Sequence, residues 1–174
     1  MGLSHGEFED SYINGDELDK NIRSSDVAWT DDPWLHEIVF AYMHNANARS
    51  GWNFDIRSSE SFQITRYKVG GFYGFHHDGG SDNPSAYDRP DDILFHGYVR
   101  KLSMSILLNE DFDGGEFQFA TYKNEKFTVS KPKPALKTKG SILIFPSFLE
   151  HRVTAITRGV RYSLVAWTLG PPFK

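Results

Sequence analysis

A chain of 174 residues, 39% hydrophobic and 15% aromatic, can bury most of its apolar surface in one core, so residues 1–174 are expected to form a single domain behind a polar stretch, 1–21. The absence of cysteine excludes disulfides, iron–sulfur ligation and thiolate zinc sites, leaving histidine and carboxylate for any metal. A net charge of −4 gives no general attraction to nucleic-acid phosphates, and no long apolar span or secretion signal is visible; the expectation is a cytoplasmic protein with no nucleic-acid or membrane partner and an open oligomeric state.

The charge is uneven: nine acids precede residue 33, against Lys20 and Arg23, whereas residues 122–140 hold six lysines and one glutamate. Asp32-Pro33 is a cap and first-turn pair. Leu35, Ile38, Val39, Tyr42, Met43 and Ala46 then follow the helical period as far as Ser50-Gly51, a stripe expected to pack on the outside of a sheet. His36 and His44 on that helix have no carboxylate at ligand spacing and are assigned solvent-facing or capping roles. Strands are predicted over Ser61–Tyr67, Phe72–His76, Tyr98–Leu108, Gly115–Phe119, Lys126–Ser130, Ser141–Phe145, His151–Thr157 and Val160–Leu169. Between Gly79 and Gly97 lies an aperiodic stretch, read either as a lid over a cleft or as plain disorder. Arg100 and Lys101 follow it, facing either that cleft or solvent. Ser130-Lys-Pro-Lys-Pro134 is read as an exposed connection, since its two prolines exclude regular pairing.

Side chains at i and i+2 of an extended chain project to one side, so His76 and Asp78 converge while His77 points away. Taken alone, His-x-Asp also describes a polar surface turn. The second half of the chain shifts that balance. His151 opens one strand and Arg161 the next, and Arg161, Ser163, Val165 and Trp167 share a face, putting a guanidinium on an apolar wall. A charge there needs a partner, and a bound dicarboxylate would supply one through paired hydrogen bonds, with the Ser163 hydroxyl adding another. Two imidazoles and a carboxylate fill one face of an octahedron and leave the other open, as in non-haem Fe(II) enzymes. A zinc hydrolase and a non-catalytic binding module are the other readings of the same residues.

The order His76-x-Asp78, His151, Arg161-x-Ser163, with Gly114-Gly115-Glu116-Phe117 and the run from Lys139 to Phe148, resembles the Fe(II)- and 2-oxoglutarate-dependent oxygenases. Within them it looks most like the prolyl 4-hydroxylase-like group of bacteria and phages. The resemblance runs from about Ile22 to Lys174. It implies a mainly β (α+β) fold, a double-stranded β-helix or jelly roll with one or more flanking helices. It implies His76, Asp78 and His151 as iron ligands, and Arg161 with Ser163 as the grip on the distal carboxylate of 2-oxoglutarate. Tyr67 and Trp167 match positions lining the co-substrate pocket. The implied activity is a dioxygenase that hydroxylates an unactivated C–H bond, of a prolyl residue in a peptide or protein, and releases succinate and CO2, with ascorbate as a reductant; a free amino acid or other small molecule is the alternative substrate. Family members usually carry a strand and helix before the region matching Ile22. Only a short polar stretch stands here, so the N-terminus is expected to be trimmed or disordered, or the sheet edge to differ.

Overall fold

The computed structural model describes residues 5–11, 22–79, 95–123 and 126–174. Most of the expected lid between Gly79 and Gly97 lies outside the described residues. In chain order the strands are β1 (Glu9–Asp10), β2 (Arg23–Ser24) and β3 (Asp26–Thr30), then helix α1 (Pro33–Arg49), then β4 (Ser58–Ser59), β5 (Phe62–Tyr67), β6 (Phe72–His76), β7 (Val99–Leu107), β8 (Phe112–Gly114), β9 (Phe117–Lys123), β10 (Lys126–Ser130), β11 (Ile142–Pro146), β12 (His151–Val153), β13 (Ile156–Gly159) and β14 (Arg161–Gly170).

They assemble into a jelly roll. The major sheet runs β1-β3-β5-β14-β7-β11 with β4 on the end of β14; the minor sheet runs β10-β9-β12-β6-β2; β13 and β8 form a separate ribbon. β14 is the central strand, antiparallel to β5 on one side and β7 on the other. Its even-numbered residues Leu164 and Ala166 join Phe62, Ile64, Leu102 and Met104 in the core beneath α1. Its odd-numbered residues Arg161, Ser163, Val165 and Trp167 line the space between the sheets, as strand alternation requires. Tyr67, Phe117, Phe145, Val153 and Ile156 form a second apolar cluster there.

Some expectations need correction. Helix α1 lies on the outer face of the major sheet, but its buried row is Leu35, Val39, Met43 and Asn47, with Ile38 and Tyr42 exposed. A helix laid on a sheet buries a narrow i, i+4 row, and positions one residue back are turned about 100° away from it. Asn47 belongs to that row because its amide is doubly satisfied, donating to the Phe54 carbonyl (2.8 Å) and accepting from the Phe54 N–H (2.9 Å). Asp32 makes no side-chain cap bond, although Pro33 opens the helix as expected.

The strand expected over His151–Thr157 breaks after Val153, where Thr154 exchanges hydrogen bonds with Glu116 and the chain passes from β9 to β8. The polar stretch 1–21 is not wholly without structure: Glu9–Asp10 pairs with β3 at the edge of the major sheet, and Phe8 packs edge-on to Tyr162. Residues 12–21 lie outside the described residues.

Candidate active site

His76 ends β6 and His151 opens β12, and the two stand directly opposite in the antiparallel pair, with ring centroids 4.2 Å apart. β6 is not regular there. His76 pairs with His151 but Tyr73 pairs with Val153, so three steps along β6 match two along β12, a β-bulge. Tyr73 and His76 therefore face the same way and stack, centroids 3.5 Å apart and planes at 12°. Gly74 in the bulge donates its N–H to the Ile22 carbonyl (2.7 Å).

Asp78 reaches the same point by another route than strand alternation. The strand has already ended, and Asp78 is held by its N–H to the Ser147 carbonyl (3.1 Å) and by its own carbonyl, which accepts from Arg100 Nη1 (3.0 Å). Its carboxylate Oδ1 lies 3.4 Å from His76 Nε2 and Oδ2 lies 3.6 Å from His151 Nε2. One ligand atom from each of the three falls within 4.8 Å of the others. His77 is exposed on the rim.

The donor set suits a divalent metal. His76 Nδ1–H donates to the Gly74 carbonyl and His151 Nδ1–H to the Leu149 carbonyl, both at 2.9 Å. A carbonyl can only accept, so Nδ1 carries the proton and each Nε2 presents a lone pair toward Asp78. Burial lowers the His151 pKa to about 4, which keeps it in the neutral, ligating form. Burial alone would raise Asp78, but His151, His76 and Arg100 outweigh it and hold the carboxyl below the usual carboxylate range. A neutral pair of imidazoles and an ionised carboxylate is the protonation state that metal binding needs.

These groups open into a cavity of about 310 Å³ between the sheets. In the same cavity Arg161 is 2% exposed, donating through Nη1 to Ser163 Oγ (2.9 Å). Its guanidinium carbon lies 5.6 Å from the centre of the Tyr67 ring. Among the described residues no carboxylate pairs with it. Burial lowers its pKa and raises that of Tyr67; a guanidinium nonetheless stays charged. Trp167 lies on the same wall with its indole N–H buried and without a hydrogen-bond partner among the described residues, and Trp29 lies 6.4 Å away, ring to ring.

All seven residues singled out from sequence, His76, Asp78, His151, Arg161, Ser163, Tyr67 and Trp167, line this one cavity. Arg100 faces it too: its guanidinium carbon lies 4.0 Å over the Trp167 ring and it forks onto Glu60 with two bonds of 2.6 Å. Lys101 is buried elsewhere, 3.5 Å over Phe173. Tyr73 and Glu60 were not anticipated. Tyr73 is an odd number of residues from His76, so alternation sends it to the opposite face, and Glu60 is distant in sequence from Arg100. His36 also departs from its expected role, bridging Asp31 (2.8 Å) and Ser59 (2.9 Å) and so tying the helix start to β4.

Comparison with known proteins bears on this constellation. The family model described as the 2OG-Fe(II) oxygenase superfamily matches residues 62–169. A PKHD-type hydroxylase of Synechococcus sp. strain JA-2-3B'a(2-13) is 32% identical over 110 residues, 62% of this chain and 42% of that protein. A putative prolyl 4-hydroxylase of Acanthamoeba polyphaga mimivirus is 29% identical over 147 residues, 83% of this chain and 53% of that protein. The chain thus spans about half or less of the length of these relatives. Among solved structures, a prolyl hydroxylase of Trichoplax adhaerens, in complex with a hypoxia inducible factor oxygen degradation domain peptide fragment, superposes with a TM-score of 0.65 at 19% identity, covering 92% of this chain and 70% of that one. At that identity the likeness speaks for the fold.

Proposed function

The chain belongs to the 2OG-Fe(II) oxygenase superfamily, and we propose that within it the protein hydroxylates an unactivated C–H bond of a prolyl residue in a polypeptide, consuming 2-oxoglutarate and dioxygen. The observation that carries this reading is Arg161: a buried cation with no carboxylate partner among the described residues, in the cavity that also holds His76, Asp78 and His151. An unpaired buried charge costs several kcal/mol, on the order of the desolvation penalty of an ion, and a dicarboxylate co-substrate supplies the missing anion. A zinc hydrolase leaves that cation without a purpose.

His76 and His151 present Nε2, and Asp78 its carboxylate, as the ligands of Fe(II). When bound, Fe(II) supplies the redox chemistry that couples oxidative decarboxylation of 2-oxoglutarate, to succinate and CO2, with hydroxylation of the substrate. The rest falls to the chain. Arg161 and Ser163 grip the distal carboxylate, which orients the 2-oxo acid end toward the histidines. Tyr67 flanks the guanidinium, and Phe117 and Phe145 pack around His151 at 5.2 and 4.7 Å, excluding water. Trp29, Trp167 and Arg100 form the wall on which a polypeptide is held. The polypeptide substrate follows the relatives, whose names are hydroxylases and one of which binds a peptide.

The test is to incubate the protein with Fe(II), 2-oxoglutarate and ascorbate, beside a panel of proline-containing peptides and free proline. Succinate formation with a gain of one oxygen on a prolyl ring is expected. Oxygen gained by free proline or another small molecule, with every peptide unchanged, would move the substrate assignment while keeping the reaction type. Absence of succinate under metal and co-substrate saturation would remove both.

A further inference from the structure

The arrangement behind Arg161 rests on a glycine. Gly115 follows β8 at a φ of +60°, and a Cβ built on it would stand 2.9 Å from Arg161 Cδ and 2.5 Å from Ile156 Cδ1. Real Cβ atoms do not approach carbon so closely, so one or both side chains would have to move. Both contacts, and a third to Phe112 Cε2 at 3.3 Å, are with side chains, unlike those at the preceding Gly114, whose Cβ would meet the Ala155 carbonyl oxygen at 2.3 Å. The two faces of this contact belong to different spaces. Arg161 lines the site cavity, whereas Gly115 lines a separate groove on the other side, with Glu116, Lys131, Leu136 and Thr154. An added methyl would therefore push the arginine stem away from the groove and into the cavity.

We infer that Gly115 is a positioning residue: its missing side chain sets how far Arg161 withdraws, and so the length of 2-oxo acid that fits between the guanidinium and the His76–Asp78–His151 triad. The inference rests on the proposed grip of Arg161 on the co-substrate. Ile156 is fully buried and its carbonyl and N–H are both held, by Gly70 N–H (2.8 Å) and the Gly71 carbonyl (3.0 Å), so its side chain has little room to give and the arginine stem has to yield with it. Gly140 provides the control, since it has a φ of +83° with nothing within 4 Å of a built Cβ. A Gly140→Ala change imposes comparable backbone strain without touching the cavity.

The experiment is calorimetric binding of 2-oxoglutarate and of oxaloacetate, one methylene shorter, to the Mn(II)-loaded protein in the absence of turnover. Gly115→Ala is expected to raise the Kd for 2-oxoglutarate about tenfold or more, the scale of a displacement near 1 Å at a binding site, and to raise that for oxaloacetate less, so that the ratio moves toward the shorter acid. Gly140→Ala should leave the ratio unchanged. If Gly115→Ala does not fold, the double variant Gly115→Ala/Ile156→Val removes the tighter contact and keeps the one with Arg161, and the same shift is expected of it. An unchanged 2-oxoglutarate Kd, an equal rise for both acids, or the same shift in Gly140→Ala would overturn the inference. Arg161→Lys in the same assay separates the two levels: if it leaves 2-oxoglutarate binding intact, the proposed grip itself fails; if it weakens binding while Gly115→Ala does not, only the role of Gly115 fails.

Discussion

Tyr73 lies flat on His76, 3.5 Å centroid to centroid, although the two are three residues apart in one strand. The bulge between them turns both rings to the cavity side, and Arg23 caps the pair with its guanidinium 4.5 Å from the Tyr73 ring. With Nδ1 held by the Gly74 carbonyl and one face covered by Tyr73, the His76 ring has its rotation fixed from two directions.

Removing the stack while keeping the hydrogen bond should therefore loosen the metal site. Tyr73→Ala is expected to weaken Mn(II) affinity about tenfold, the low end for groups that orient a metal ligand, and Tyr73→Phe should retain wild-type affinity because the ring is unchanged. Metal titration followed by calorimetry checks both. Equal affinity in the alanine variant would mean that the hydrogen bond alone orients His76.

The ligand assignment makes a sharper demand. His76→Ala, Asp78→Ala and His151→Ala should each lose bound iron and succinate production, whereas His77→Ala should keep the metal and much of the turnover, since His77 is exposed at the rim. Iron content by elemental analysis together with the succinate assay decides. A His76→Ala variant that stays metallated and active would require a different ligand set.

Arg161→Lys keeps the positive charge but loses the planar fork, and a hydrogen bond to a charged group is worth about 1.5–3 kcal/mol. The KM for 2-oxoglutarate should rise roughly tenfold to a hundredfold with iron binding unaffected. Arg158 is the natural control, being solvent-exposed and engaged with Asp113 at 2.6 Å. If Arg158→Lys raised that KM and Arg161→Lys did not, the grip would have to be reassigned.

Asp26 offers a prediction about stability rather than catalysis. It joins β3 to β5 through Arg66 (2.7 Å), directly opposite it in the sheet, and pairs with Lys68 just beyond the end of β5 (2.9 Å). Burial pushes its pKa up, but the hydrogen bonds from Lys68 and Arg66 and their charges prevail and hold it below the ordinary value. A carboxyl whose folded pKa lies below its unfolded value stabilises the fold above the unfolded pKa, about 3.9, and loses that contribution as pH falls through the folded pKa. Asp26→Asn should accordingly lower the Tm at neutral pH and shrink the fall in Tm between neutral pH and about pH 3. Parallel thermal melts of both proteins across that range test it; curves separated by the same amount at every pH would exclude the linkage.

Most strands and the helix were readable from local pattern. Lys126–Ser130 was placed to the residue, and the alternation of Arg161, Ser163, Val165 and Trp167 was correctly assigned to one face, because a regular strand carries its facing in its own sequence. The sequence pattern does not reveal β1, β2, β3, β4 or β8. Four of them have only two or three residues and exist because a longer partner supplies their hydrogen bonds, which no period within them can reveal; β3 has five, but its buried Val27, Ala28 and Thr30 do not alternate. The expected width of the buried helix stripe failed for a related reason: the apolar content of α1 exceeds what a sheet can cover, and only docking decides which row is used.

The amino-acid sequence by itself determined which chemistry is available: two imidazoles and a carboxylate with no thiol to compete, and an arginine on an apolar strand face that calls for an anion. Those follow from residue type and spacing, which are local. Tertiary structure alone decided the rest. A one-residue bulge reversed the facing of Tyr73 relative to His76, Ser147 and Arg100 rather than strand alternation placed Asp78, and a glycine after β8 left the room in which Arg161 sits. Each depends on hydrogen-bond register or close approach between segments far apart in the chain, where a shift of one residue turns a side chain to the opposite face.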